Sequence, residues 1–314
     1  MIVTVTPNPS IDRTVRVARL ERGELNRTSA PVSEAAGKGL NVSRALHRHA
    51  VDTIAVLPLA ADSASVYLTL LGDAVPTAPV PTRGSIRTNL TVLEADGTVT
   101  KLNEPGPAVD DGDVEALLTS VAAIDADWVV GCGSLPPGAP TSFYASLARG
   151  ASPARRVAVD TSGGALRACI SSCPDLIKPN LAELEELLDA RLQTLGEVVS
   201  AAGTLVSRGV RAVLVSLGAD GALYVDRSHS VHAEATVPRV VNTVGAGDAL
   251  LAGYLAAGGG ADAVATAVAW SVAAIASSGT WMKDVTEADR SAVQVHREVD
   301  RSRRLRGQLV AART

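Results

Sequence analysis

Short apolar runs alternate with Ala- and Leu-rich helical segments along most of this 314-residue chain. The run 212–215, Ala-Val-Leu-Val, is apolar at every position, which is typical of a strand covered on both faces. The predicted strands are 2–6, 53–57, 128–131, 157–160, 176–178 and 212–217, and the predicted helices include 42–49, 114–123 and 181–188. This alternation predicts an α/β fold, in which a mostly parallel central sheet is flanked by helices.

Residues 12–34 and 84–104 break the alternation, because polar and apolar residues there follow a period of two. The sequence Ala-Asp-Gly at 95–97 predicts a hairpin turn within the second segment. We therefore predict one α/β domain built from 1–11, 35–83 and 105–314, and a small antiparallel β-sheet built from 12–34 and 84–104. A sheet of that size needs a partner for its apolar face, so we expect a lid over a cleft, a homodimer interface, or both.

Composition excludes several classes of protein. The net charge of −4 gives no support for a nucleic-acid partner, and no apolar run is long enough to cross a membrane. The N-terminus predicts a core strand rather than a signal peptide, so we expect a cytoplasmic protein.

The chain has three cysteines, at 132, 169 and 173. This is an odd number without a CxxC pair, so the cysteines are interpreted as free thiols. The basic stretch 297–306 is interpreted as a solvated helix end or tail.

Residues 242–248, Asn-Thr-Val-Gly-Ala-Gly-Asp, form the strongest functional motif. The two glycines around Ala246 allow consecutive backbone N–H groups to point at one spot. A helix is expected to begin there, and its dipole also favours an anion. Gly245, Ala246 and Gly247 are therefore candidates for an anion hole. Asp248 in the first turn would then be placed to take a proton from an attacking hydroxyl. The alternative is a tight turn in which Asp248 only complements the helix dipole.

Residues 178–183, Lys-Pro-Asn-Leu-Ala-Glu, follow a predicted strand. Asn180 and Glu183 are one helical turn apart, which fits a capping box. The functional interpretation is that both orient Mg²⁺ and its waters beside nucleotide phosphates, since magnesium keeps several waters and takes few protein ligands.

Residues 216–221, Ser-Leu-Gly-Ala-Asp-Gly, follow another predicted strand, at the sheet edge where open α/β sheets bind nucleotides. The chain contains neither GxGxxG nor GxxxxGK[ST], which disfavours a dinucleotide-binding dehydrogenase and a P-loop kinase. In the N-terminal half, Asp12, Lys38, Asn41 and Arg87 fall near the edges of the predicted lid, and glycines flank Lys38.

Taken together, these motifs resemble, over nearly the whole chain, the ribokinase-like (PfkB) carbohydrate kinases. The nearest branch is the phosphosugar branch, which holds the 1-phosphofructokinases and tagatose-6-phosphate kinases. The motifs that carry the resemblance are TPNPSID at the start, AGKGLN at 36–41, NEPGP at 103–107, GSLPPG at 133–138, KPNLAELEELL at 178–188, SLGADGA at 216–222 and NTVGAGDA at 242–249.

The resemblance implies a ribokinase-like three-layer fold with a β lid, and ATP-dependent phosphorylation of a ketose phosphate with Asp248 as the general base. It implies ATP and Mg²⁺ as cofactors and a small sugar phosphate as substrate. Fructose 1-phosphate is the leading candidate, with fructose 1,6-bisphosphate as product; tagatose 6-phosphate and fructose 6-phosphate are the alternatives. The site residues it implies are Gly245, Ala246, Gly247 and Asp248 for catalysis; Asp12, Arg27, Gly37, Lys38, Asn41, Arg87 and Ser134 for the sugar phosphate; Lys178, Asn180, Ser216, Gly218 and Gly221 for the nucleotide; and Asn180 and Glu183 for the metal, through water.

Two departures from the family pattern bear on the substrate. Ala36 replaces the first of two glycines that usually precede the lysine, and the stretch 59–62 lacks a usual glycine pair. Both changes fall near the sugar side, so they affect substrate identity more than catalysis. A neutral sugar or nucleoside acceptor therefore remains open. So does a non-catalytic sensor on the same fold, although such a sensor is expected to lose the base or the anion-hole glycines.

Overall fold

The computed structural model describes residues 1–150, 154–237, 241, 243–277 and 282–306. Its strands are β1 Ile2–Val5, β2 Ser10–Val17, β3 Val32–Ala36, β4 Thr53–Ala60, β5 Thr77–Thr82, β6 Arg87–Glu94, β7 Val99–Asn103, β8 Trp128–Cys132, β9 Arg156–Asp160, β10 Leu176–Ile177, β11 Ala212–Ser216, β12 Ala222–Asp226, β13 Ser230–Ala235 and β14 Val293–His296. Its helices are α1 Lys38–Arg48, α2 Ala61–Leu71, α3 Asp111–Ala122, α4 Phe143–Arg149, α5 Gly163–Ile170, α6 Leu181–Leu188, α7 Leu195–Ser207, α8 Ala246–Ala256, α9 Val264–Ile275 and α10 Glu287–Ser291.

The main sheet has ten strands in the order β14-β13-β12-β11-β10-β9-β8-β1-β4-β5. Every neighbouring pair from β11 to β5 is parallel, and the three pairs from β11 to β14 are antiparallel. Strand β1 lies in the interior of the sheet, and its four residues are all buried. The prediction of a mostly parallel sheet is confirmed, and the antiparallel edge comes from two successive hairpins after β11 and from β14, which follows α10.

Helices cover both faces of this sheet, which gives three layers. One core contains apolar side chains of α3, α4, α5, α6 and α7, packed against one face. The second contains side chains of α1, α8 and α9, packed against the other. Because both faces are covered, β8, β9 and β11 are apolar at consecutive positions rather than at alternate ones.

The second sheet has the order β3-β2-β6-β7 and comes from the two segments with alternating polarity. Its outer pairs, β2–β3 and β6–β7, are antiparallel, and the central pair β2–β6 is parallel. Val15, Val17 and Val92 form a small apolar cluster within it. The two segments therefore meet as one sheet although they are far apart in the sequence.

One prediction for the C-terminal stretch is wrong. Residues 297–306 are not a solvated tail, because Leu305 is 1% exposed and belongs to the first core. The Arg303 guanidinium lies 2.5 Å from a Glu234 carboxylate oxygen and 3.0 Å from an Asp220 carboxylate oxygen. These two acidic partners lie far earlier in the chain, so local charge density could not reveal the pairing.

Among the described residues, no helix is both long and apolar enough to cross a membrane.

Candidate active site

Several polar side chains meet at the carboxyl edge of the parallel strands. Asp160 is the last residue of β9, Lys178 directly follows β10, and Ser216 is the last residue of β11. Because these strands are neighbours and parallel, the residues that follow them emerge side by side. The backbones of Asn180 and Ser216 pair in an isolated parallel bridge, so Asn180 also lies at this edge of the sheet.

Asp160 holds two lysines at this edge. One of its carboxylate oxygens lies 3.2 Å from the Lys38 Nζ, and the other lies 3.1 Å from the Lys178 Nζ. Asp160 is only 1% exposed. Burial alone would raise its pKa, but the positive charges of Lys178 and Lys38 outweigh that effect and hold the pKa below its usual value. Asp160 in turn raises the pKa of Lys38, and its buried carboxylate contacts both lysine ammonium groups.

Asp248 lies in the first turn of α8 and is 7% exposed. Its carboxylate accepts a hydrogen bond of 2.9 Å from the side-chain amide of Asn41, which α1 contributes. Burial, followed by the negative charge of Asp160, raises the pKa of Asp248 to about 6, and Lys38, Asn41 and Lys178 act in the opposite direction. A carboxylate with a pKa near 6 is ionised at neutral pH and still basic enough to accept a proton.

The turn before Asp248 is open to an anion. Gly245, the N-cap of α8, has a φ of 80°, a left-handed conformation that glycine adopts without strain. A Cβ added to Gly247 would lie 3.4 Å from the Lys178 Nζ, so that ammonium group sits directly beside the turn. The N-terminus of α8 and the lysine together favour a bound anion. Asn242, the first residue of the motif, lies outside the described residues.

A cavity of about 750 Å³ opens beside this turn. One part of its wall is formed by Asn180, Thr243, Ala246 and Gly247, and another part is apolar. The apolar part consists of Leu250, Val268, Val272 and Ile275. The end of β11 and the loop after it contribute Ser216, Gly218, Ala219 and Gly221. The structure therefore brings four of the predicted nucleotide residues, Asn180, Ser216, Gly218 and Gly221, around one cavity that has a polar and an apolar portion, whereas Lys178 lies beside Gly247 and is not part of the cavity wall.

Asn180 and Glu183 form a complete capping box at the start of α6. The Asn180 Oδ1 accepts from the Glu183 N–H at 2.9 Å, and the Glu183 Oε2 accepts from the Asn180 N–H at 2.9 Å. Asn180 also lines the large cavity, and the negative charge of Glu183 acts on Lys38 at the neighbouring cluster. Glu183 keeps its second carboxylate oxygen, Oε1, outside the capping box, and an oxygen donor of this kind suits Mg²⁺ held through water.

A second cavity, of about 540 Å³, is lined in part by Thr161 and Ser162, which directly follow Asp160 in the chain. Its wall includes Asn8, Arg87, Ser134, Thr161 and Ser162. The Arg87 guanidinium donates to the backbone oxygens of Asn8 at 3.0 Å and Glu104 at 3.2 Å. The Asn8 amide donates to the Pro105 carbonyl at 3.0 Å and lies 3.5 Å from the Ser134 hydroxyl. This cavity therefore offers one cation and several hydroxyl and amide groups.

The remaining residues predicted for the sugar phosphate differ in what they contact. Asp12 accepts hydrogen bonds from the Ser10 hydroxyl at 2.8 Å and the Asn89 amide at 2.9 Å. A Cβ added to Gly37 would lie 2.6 Å from the Thr6 Cγ2, so only glycine fits before α1. Arg27 is exposed in the loop between β2 and β3, and among the described contacts no hydrogen bond or ion pair joins it to this cluster.

Sequence reasoning missed Asp160 as a functional residue. The only signal was an Asp at the end of an otherwise apolar predicted strand, and many strands end in this way. Asn8, Asn89 and Thr161 were also absent from the predicted site, although Asn8 and Thr161 line the second cavity and Asn89 binds Asp12. Their positions depend on the meeting of segments that are distant in the sequence.

The fold agrees with what comparison with known proteins shows. The sequence model described as pfkB family carbohydrate kinase matches residues 5–284. The chain belongs to this family of carbohydrate kinases.

Individual relatives cover most of the chain. A 1-phosphofructokinase of Rhodobacter capsulatus is 39% identical over 265 residues, which are 81% of this chain and 82% of that protein. An ATP-dependent 6-phosphofructokinase isozyme 2 of Mycobacterium tuberculosis is 37% identical over 261 residues, 80% of this chain and 76% of that protein. A crystal structure of phosphofructokinase-2 from Escherichia coli in complex with potassium has a TM-score of 0.85 and 31% identity, and the match covers 92% of this chain and 96% of that one.

Proposed function

We propose that this chain transfers the γ-phosphoryl group of ATP to a ketose phosphate, and that fructose 1-phosphate is the acceptor and fructose 1,6-bisphosphate the product. The observation that carries the proposal is the buried Asp248 carboxylate, whose pKa is raised to about 6, in the first turn of the helix whose N-terminus faces a nucleotide-sized cavity. A general base beside an anion site is the arrangement that phosphoryl transfer to a hydroxyl requires.

The chemical step is an in-line displacement. The acceptor hydroxyl oxygen forms a bond to the γ-phosphorus while the bond from that phosphorus to the bridging oxygen of ADP breaks. Asp248 takes the hydroxyl proton, and Asn41 holds the Asp248 carboxylate in place through its 2.9 Å hydrogen bond. The backbone N–H groups at 245–247, together with Lys38 and Lys178, stabilise the charge on the transferred group.

Asn180 and Glu183 would hold Mg²⁺ through water beside the phosphates of ATP. Bound there, the metal supplies positive charge that offsets the charge of the triphosphate. Because both side chains already cap α6, they need no rearrangement to present the remaining carboxylate oxygen. Ser216, Gly218 and Gly221 form the wall along which the nucleoside lies.

The acceptor lies on the side of the second cavity. We assign its binding to Asp12, Gly37, Lys38, Asn41, Arg87 and Ser134, with Arg27 as an additional contact from the β2–β3 loop. The electrostatic argument is that a chain of net charge −4 gains little from cations at that end of the cleft unless a second anion binds there. Charge-assisted hydrogen bonds to a phosphate contribute roughly 1.5–3 kcal/mol each. The buried Arg87 Nε has no hydrogen-bond partner among the described residues.

The alternative acceptors are tagatose 6-phosphate and fructose 6-phosphate. Similarity to a relative named 6-phosphofructokinase isozyme 2 supports the latter. A sensor without catalysis is disfavoured because the base and the glycine turn are both present.

We further propose that the four-stranded sheet acts as the lid and as the contact of a homodimer. Val99 and Leu102 of β7 and Val32 of β3 are large apolar residues more than half exposed, and they would be covered by a second copy. We also propose that the protein works in the cytoplasm, where its three free cysteines would stay reduced.

The direct test is a coupled ADP-release assay with Mg²⁺ and ATP across fructose 1-phosphate, tagatose 6-phosphate, fructose 6-phosphate, fructose and tagatose. The proposal expects the highest kcat/KM for fructose 1-phosphate and values lower by several orders of magnitude for the neutral sugars. Equal use of fructose and fructose 1-phosphate would overturn it.

A further inference from the structure

The chain segment after β14 is fixed to the body of the protein next to the large cavity. The Leu305 N–H donates to the Gln193 carbonyl at 2.8 Å, and the Gly196 N–H donates to the Arg301 carbonyl at 3.0 Å. Leu305 is buried in the first core. These contacts anchor the backbone that immediately precedes Arg306.

Arg306 is oriented by two carboxylates. Its backbone N–H donates to the Asp220 Oδ2 at 2.7 Å, and its Nη2 lies 2.7 Å from the Glu234 Oε2. Asp220 is buried and closes the 3₁₀ turn Gly218–Asp220, which forms part of the cavity wall. Arg303 pairs with the same two carboxylates, so both acceptors have a partner besides Arg306.

The Arg306 side chain also lines the large cavity. It is 55% exposed, and its Nη1 lies 3.4 Å from the carbonyl oxygen of Ala219, a neighbour in the same wall. The apolar residues Val268, Val272 and Ile275 belong to the same cavity. A planar guanidinium held at its edge by carboxylates leaves its flat face free, and such faces stack on aromatic rings.

The charges around Arg306 indicate which part of a nucleotide it meets. Asp220 and Glu234 are paired with Arg303 and Arg306, so two carboxylates and two guanidiniums leave no excess positive charge here to attract a phosphate. The other end of the cavity has Lys178 beside Gly247 and the N-terminus of α8, and that end attracts one. The purine base therefore lies at the Arg306 end.

We propose that Arg306 is a nucleotide-binding residue whose guanidinium stacks on the purine base of ATP and ADP. The proposal rests on the kinase function above and extends it to a position in the C-terminal segment. It assigns to Arg306 a contribution to nucleotide affinity and none to the chemical step.

The test compares Arg306→Ala, Arg306→Lys and the matched control Arg304→Ala, whose side chain is exposed and binds Gln193 instead. We would measure the dissociation constant of ADP by calorimetry, the KM for ATP and kcat with fructose 1-phosphate, and the inhibition constant of tripolyphosphate, which probes the phosphate end alone.

For Arg306→Ala we expect ADP binding weaker by about 3–30-fold and a similar rise in the KM for ATP, with kcat and the inhibition constant of tripolyphosphate nearly unchanged. Arg306→Lys keeps the charge but loses the plane, so it is expected to restore only part of the affinity. Arg304→Ala is expected to match wild type.

Three results would overturn the inference. ADP binding that is unchanged in Arg306→Ala would show that the side chain does not touch the nucleotide. An equal weakening of tripolyphosphate and ADP would show damage to the whole cavity or a phosphate contact. Full recovery in Arg306→Lys would show that charge and not stacking matters. The kinase proposal has its own separate failure, because a wild-type protein that binds ADP but phosphorylates no sugar phosphate contradicts the function and leaves the Arg306 measurement valid.

Discussion

The side-chain amide of Asn41 donates a 2.9 Å hydrogen bond to the carboxylate of Asp248, and so joins α1 to the first turn of α8. These residues are 207 positions apart, and the contact closes the site between the N-terminal and C-terminal halves of the fold. The donor stabilises the ionised carboxylate and fixes its direction, while burial and Asp160 raise its pKa. The result is an aspartate that is ionised at neutral pH and held in one direction, as the proposed role of general base requires.

The first prediction concerns pH. The base must be ionised to accept a proton, so activity is expected to be complete above the pKa of Asp248 and to be lost as pH falls through about 6. The measurement is kcat at saturating ATP and fructose 1-phosphate between pH 5 and pH 8.5. A kcat that stays constant down to pH 5 would contradict the role of Asp248.

The second prediction concerns Asp160→Asn. Removing the carboxylate leaves Lys178 buried without its partner, and breaking a buried pair in this way costs about 3–5 kcal/mol of unfolding free energy. The substitution also removes a negative charge that raises the pKa of Asp248, so the acid limb of kcat is expected to move to lower pH. Denaturant unfolding and the pH profile measure the two effects. Asp175→Asn, which breaks a more exposed pair with Arg211, is the control. An acid limb that stays in place or moves upward would rule out this coupling.

The third prediction concerns Glu183→Gln. A glutamine can still accept the Asn180 N–H bond, so the capping box is expected to lose only a few tenths to about 1 kcal/mol of stability. The loss of a carboxylate is expected to raise the Mg²⁺ concentration needed for half-maximal activity. Glu197→Gln, which changes the equivalent capping box of α7, is the control. If both variants lose the same stability and neither changes the metal response, Glu183 is only a cap.

The fourth prediction separates two cations on the acceptor side. Arg87 lines the second cavity, whereas Lys38 binds Asp160 and acts electrostatically on Asp248. Arg87→Ala is therefore expected to lower kcat/KM for fructose 1-phosphate by about 10–100-fold and to leave the slow reaction of fructose almost unchanged. Lys38→Ala is expected to lower kcat for both sugars and also to reduce the preference for the phosphate. Variants that leave the ratio of kcat/KM for the two sugars at its wild-type value would contradict a contact of Arg87 and Lys38 with the phosphate of the acceptor.

Much of the fold follows from periodicity. Helix α6 occupies 181–188 as predicted, because its cap and its apolar spacing lie in the same short stretch. Strands β1, β8, β9 and β11 were found from apolar runs that a sheet covered on both faces requires. The central β2–β6 pairing is parallel, and this was not predicted, because two distant segments meet there without a turn between them.

The site was predictable where a motif holds its own geometry. The glycines before Asp248 and the Asn180–Glu183 pair are local, and the structure places both at the carboxyl edge of the sheet. Asp160 and the Arg303 and Arg306 contacts were missed, because each depends on charges brought together by the tertiary fold. A buried aspartate that binds two lysines has no signature within its own strand.

The most direct test of the central claim is kcat of Asp248→Asn with ATP, Mg²⁺ and fructose 1-phosphate, measured together with its thermal unfolding. We expect a kcat lower by about 10²–10⁴-fold, with KM values close to wild type. We also expect no loss of stability at pH 7.5. An ordinary aspartate has a pKa of 3.8, whereas Asp248 in the folded chain has a pKa of about 6, so folding disfavours the charged form of this side chain. The resulting loss of unfolding free energy is complete above pH 6, and it does not arise in Asp248→Asn, whose amide carries no charge. A folded Asp248→Asn protein with near-normal turnover would contradict the account.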